Sequence, residues 1–194
     1  MKIQIRQLLD RLYACIGRLC RRCFSRMGNG HLMEIKMEEV ITLSLSEVSE
    51  ATDTSQAHSE VLIGGNSTGI TILGKVLEAA IRVDERRYLL FVTDDIIFEE
   101  MLKLLLLDLA QGIIVEELTI GGAYDSGHFE ALKVSPRSAS FRFIGDTIWT
   151  VKVSASPTLK LPFSDPGGVN RPMGLRKYID ITANPAPAKA DGSR

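Results

Sequence analysis

Three groups of residues have types and spacing that could do chemistry. The loop GGAYDSGHF at 121–129 gathers Tyr124, Asp125, Ser126 and His128 among glycines. A serine, a histidine and a carboxylate are the raw material for nucleophile, base and orienting group. Ser126, His128 and Asp125 are therefore the catalytic candidates of a small hydrolase. The G-x-S-x-G spacing of a nucleophile elbow is absent. Side chains two apart on one loop seldom meet in nucleophile–base geometry, so the competing reading is a glycine-rich link between strands.

The second group is Cys15, Cys20 and Cys23, spaced C-x4-C-x2-C like part of an iron–sulfur run, with His31 near enough for a Cys3His zinc set. A fourth cysteine is missing. Helical spacing strings the three thiols along one apolar face, where cysteine behaves as a small hydrophobe. No metal and no cofactor is expected.

The third group is acidic. Asp94, Asp95, Glu99 and Glu100 follow the apolar run 88–93, and Glu116 and Glu117 lie in the next acidic stretch. Clustered carboxylates can hold a hard cation or work as an acid and base. Cation loops, however, put glycine at the sharp turn, where this chain has Ile96, Ile97 and Phe98. The plain reading of the cluster is a solvated strand end or helix N-terminus; the functional reading is that the six acids form an edge that meets a basic protein partner. GGNSTG at 64–69 lacks the lysine and following helix of a phosphate loop and reads as a hairpin turn.

Charge sorting supports that reading. Residues 1–33 carry seven Lys/Arg and one Asp, residues 34–133 seven against nineteen Asp/Glu, and residues 134–194 nine against four. The net charge of −1 thus hides a basic–acidic–basic chain. The acidic middle repels phosphates, so nucleic acid is not expected at the core. All three cysteines precede residue 24, which leaves the folded part without a disulfide framework and suits a reducing, cytoplasmic setting.

The elements that must position these groups follow from periodicity. Residues 3–25 have the three-and-four spacing of an amphipathic helix, with Arg11, Arg18, Arg21 and Arg22 largely off its apolar stripe. That helix could touch a membrane surface, which makes peripheral membrane attachment the alternative localisation. From residue 38 the period becomes that of strands. Val40–Leu45 is one, and the polar stretch 46–60 reads as a loop. Leu77, Ala79, Ile81 and Val83 share one face of a strand that turns at DERR, 84–87, into the doubly covered strand 88–93. Residues 96–111 suit a helix by propensity and strands by context. The lean is to strands at 100–107 and 113–120 about a DLAQG turn. Ala131–Val134 and SFRFIGDTIWTVKV continue the meander, and a three-residue loop at 145–147 would pair Phe143 with Trp149 and Phe141 with Val151. Trp149, Phe141 and Phe143 then fill a core rather than a binding platform.

The expected fold is all-β or β-rich α+β, an antiparallel meander or sandwich with a separate N-terminal amphipathic helix. Its parts are a basic helix and linker at 1–32, a β domain at 38–156, an irregular basic extension with one edge strand at 157–182 and a disordered tail at 183–194. The expected function is a non-enzymatic protein-binding module with an acidic face for a basic partner, analogous to an immunity or adaptor protein. The alternatives are a membrane-surface protein held by residues 3–25, and a hydrolase using the 121–129 loop.

Overall fold

A computed structural model describes residues 36–52, 55–95, 101–122, 127–161 and 163–187. The helix expected over 3–25, its arginines and the three cysteines lie outside the described residues. Among those described there is no helix, and thirteen strands pair only antiparallel.

A six-stranded sheet runs in the order β1 (Glu38–Glu39), β5 (Val76–Arg82), β6 (Arg87–Thr93), β7 (Leu102–Asp108), β8 (Ile113–Ile120) and β12 (Val169–Asn170). A four-stranded sheet has the order β13 (Arg176–Asn184), β11 (Ile148–Leu159), β10 (Ser138–Arg142) and β9 (Glu130–Ser135). A three-stranded sheet is formed by β2 (Leu43–Ser49), β3 (His58–Ile63) and β4 (Asn66–Leu73).

The six-stranded sheet is the middle layer because both its faces are apolar. Leu89 and Phe91 of β6 and Leu102, Leu104 and Leu106 of β7 join Phe141, Trp149, Val151, Ile179 and Ile181 of the four-stranded sheet in one core. The alternate residues Leu90, Val92, Leu105 and Leu107 join Leu43, Val61, Ile70 and Ile72 of the three-stranded sheet in the other. Every residue of β7 is buried, so LKLLLLD shows no alternation. Each large side chain so covered contributes about 1.5–3 kcal/mol. The strand reading of 96–111 is thus found for 102–108, with residues 109–112 as the turn to β8.

Turn chemistry agrees with the sequence at two hairpins. Gly64 and Gly65, with φ of 56° and 79°, link the paired residues Ile63 and Asn66. In DERR, Asp84 Oδ1 accepts the backbone N–H groups of Arg86 (2.9 Å) and Arg87 (2.8 Å), while Arg87 Nε donates to Oδ2 (2.6 Å). Burial would raise the Asp84 carboxyl, but these donors together outweigh it and hold its pKa below the ordinary value.

Four expectations are corrected. A bulge between Leu77 and Ala79 turns Leu77 to the opposite core from Ala79, Ile81 and Val83. The polar stretch 46–60 is partly strand, since β2 reaches Ser49 and β3 begins at His58. The last hairpin closes through residues 143–147, so Phe141 pairs with Trp149 and Ala139 with Val151. The shift from the expected register is an even number of residues, so the same side chains still face the core. Finally, β11 crosses the boundary expected at residue 156, and β13 supplies Ile179 and Ile181 to the core.

Candidate functional site

Of the six acids singled out in the sequence, four are described, and Asp94, Asp95 and Glu116 are held by different partners. Asp94, just past β6, is buried, and both its oxygens accept from Lys103 Nζ of β7 at 3.0 Å. Gln56 Nε2 donates to the same carboxylate at 3.0 Å. Asp95 is exposed at φ 59°, with Lys75 Nζ 3.9 Å away. Glu99 and Glu100 lie outside the described residues.

Glu116 and Glu117 sit on β8, far along the sheet. Glu116 faces the four-stranded sheet at a place where its ladder opens. Residues 154–157 of β11 bulge opposite Tyr178 alone. The N–H groups of Tyr178 and Ile179 donate to Glu116 Oε2 at 2.6 and 2.8 Å. The carboxylate thus closes the end of the core. Its other oxygen accepts from Arg171 Nη1, and Arg171 Nε and Nη2 grip Asp165 at 2.8 and 2.9 Å. Arg171 Nη1 also reaches Ile179 O at 3.2 Å, so four hydrogen bonds hold this buried cation.

Beside this network is a groove of about 280 Å³. One wall is Ile114, Val115, Glu116 and Glu117; the other is Arg171, Pro172, Met173, Gly174 and Arg176. Four consecutive residues of β8 line it. A strand's face shows alternate residues only, so the groove meets β8 at its edge. A bulge at Val115, where β8 has one residue more than β7, turns this stretch outward. Beyond it, β12 pairs with Thr119 and Ile120 alone. Among the described residues no strand covers the outer edge from 113 to 118. Neither Glu117 nor Arg176 has an ion-pair partner among the described residues.

A second cavity, about 190 Å³, lies between Arg86, Arg87, Asp108 and Tyr178. Its charges are matched internally. Arg87 donates to Asp84 and to Ser154 O (2.8 Å) with its guanidinium over the Tyr178 ring at 5.8 Å, and Arg86 stands 3.5 Å from Asp108.

Of the catalytic candidates, Asp125 and Ser126 lie outside the described residues. His128 is exposed, and its backbone N–H donates to Phe143 O at 2.9 Å. Gly127 lies against the Phe143 ring, where a Cβ would come within 2.5 Å of ring carbon. That glycine has a packing reason. Phe129, which the sequence reading passed over, stacks with Phe91 and Phe141 at centroid distances of 5.2 and 5.4 Å. Trp149 is core, and its indole N–H has no partner among the described residues. Among the described residues no three His, Cys, Asp or Glu side chains cluster as metal ligands, and no helix is long and apolar enough to cross a membrane.

The groove's residues were only half apparent from sequence. Glu116 and Glu117 stood out as acids, but Arg171 and Arg176 lie in a stretch read as irregular. No protein-family model, curated protein or solved structure matches this chain.

Proposed function

We propose that this chain is a non-enzymatic protein-binding module that takes an extended, basic segment of its partner along the outer edge of β8. The observation that supports this reading is a strand edge that no described strand covers, opening into a groove with Glu117, a carboxylate without an ion-pair partner among the described residues, on its wall. Open edges pair readily with added strands, whose main chain supplies affinity while alternate side chains supply specificity. Ile114 and Pro172 offer apolar contact to such side chains. Glu117 receives a basic one, and Arg176 across the slot repels a cation placed there, which sets the segment's orientation. The acidic middle of the chain speeds encounter with a basic partner, as in immunity and adaptor proteins to which this one is likened by analogy.

Site-directed photo-crosslinking tests the reading. A benzophenone side chain at position 114 should capture a partner in cells of the native host, and one at the exposed position 71 should not. The adduct should disappear with Glu117→Lys and weaken as salt rises. Identical adducts from both positions, or adducts indifferent to Glu117→Lys, would remove the groove from consideration.

A further inference from the structure

The arm beyond the sandwich ends in an apolar tip that the proposed groove does not use. Leu159, Leu161, Phe163 and Leu175 are 67, 58, 104 and 77 % exposed. The arm is a two-stranded ribbon at its base, with Leu159 paired to Arg176 and Lys160 N–H donating to Leu175 O at 2.9 Å. Successive residues of such a ribbon point to opposite sides. Leu159 therefore shares a side with Arg176, and Leu175 shares the other with Lys160. Apolar groups thus stand out on both sides of a thin projection. Phe163 holds φ at 59°, a left-handed conformation uncommon for a bulky residue, with its ring wholly in solvent.

Charge is sorted along the same arm. Between residues 157 and 176 the cations are Lys160, Arg171 and Arg176, and the one carboxylate is Asp165. Asp165 is gripped by Arg171. The tip therefore presents two cations without ion-pair partners among the described residues, Lys160 and Arg176, and no free acid.

We propose that this tip docks on an anionic lipid surface, with Leu159, Leu161, Phe163 and Leu175 entering the interfacial region and Lys160 and Arg176 meeting headgroup phosphates. A protein surface covers one side of a ribbon, whereas a bilayer interface surrounds it, so apolar groups on both sides suit lipid. Long basic side chains suit the rim, because their stems lie along apolar matter while their charged ends stay at the headgroups. Buried apolar area and electrostatic attraction act together in such contacts. The proposal shares Arg176 with the wall of the β8 groove but none of its apolar residues, and it does not involve residues 3–25.

The full chain is mixed with phosphatidylcholine vesicles, plain or with about 30 % phosphatidylserine to supply negative charge. Binding should favour the anionic vesicles and fall with salt. The double variant Leu161→Ser/Phe163→Ser should lower partitioning roughly tenfold or more, and Lys160→Glu should weaken binding to the anionic vesicles alone. In Phe163→Trp, the new indole should shift its emission to the blue on anionic vesicles, over a constant background from buried Trp149. Absence of vesicle binding by the unaltered chain would overturn the proposal. So would binding that survives Leu161→Ser/Phe163→Ser with no spectral shift in Phe163→Trp, since attachment would then run through another segment. Leu161 and Phe163 are exposed and Lys160 is half-buried at the surface, with its ammonium donating only to Pro172 O at 3.3 Å, so each variant should keep the fold, as circular dichroism would verify.

Discussion

Lys103 interrupts the greasiest run of the chain, yet its side chain is 3 % exposed. An ammonium so buried loses its hydration and needs a counter-charge in return. Asp94 supplies it with two 3.0 Å contacts, and Gln56 occupies the same carboxylate. Removing one partner leaves an unpaired buried charge. Lys103→Met should destabilise the fold by about 3–5 kcal/mol, and adding Asp94→Leu should restore most of that loss. Urea denaturation of both variants checks the sign of the second step. A double variant as unstable as the single one would mean that the pair contributes more than charge compensation. Asp94 was legible in the sequence as an acid at a strand end. Its partner was not, because nothing local says that β6 and β7 lie side by side with these two residues adjoining. Asp84 is the contrasting case. Its donors, Arg86 and Arg87, lie two and three residues away, and the turn could be read from DERR itself.

At the scale of elements, hairpins were legible where the turn holds its own instructions. Gly64-Gly65 is such a turn, whereas the link between β4 and β5, which joins two different sheets, went unread in the sequence. Gly74 there has φ 133°, and a Cβ would collide with Val92 Cγ1. Its carbonyl also accepts Ser59 Oγ–H at 2.7 Å. Gly74→Ala combines a disfavoured backbone with overpacking and should cost about 1–3 kcal/mol. A thermal or urea midpoint unchanged by it would show that the link can relax. The hairpin at 143–147 and the bulge after Leu77 were legible only in part. Alternation says which side chains share a face, and an even slip or a single inserted residue is invisible to it until both strands are in place.

At the largest scale, the described residues form three layers sharing one middle sheet, so β6 and β7 belong to both cores. Opening either outer layer leaves them covered on the other side. In native-state hydrogen exchange the amides of residues 88–92 and 103–107 should be the slowest, and those of β2 and β9 faster. Fast exchange across β7 would mean that the two cores do not unfold together. The sequence by itself determined the antiparallel β character, the main turns, the doubly buried strand at 88–93 and the core aromatics on the last hairpin. Each of these follows from a two-residue period or from a turn residue's own backbone preference. Only the tertiary structure decided which sheet each strand joins, that Asp94 and Glu116 are held by Lys103 and Arg171, and that no described strand covers the edge of β8 from 113 to 118. These depend on distant segments meeting, as Glu116 and Tyr178 do across 62 residues. Local pattern carries no record of such meetings, because they are set by how the layers pack.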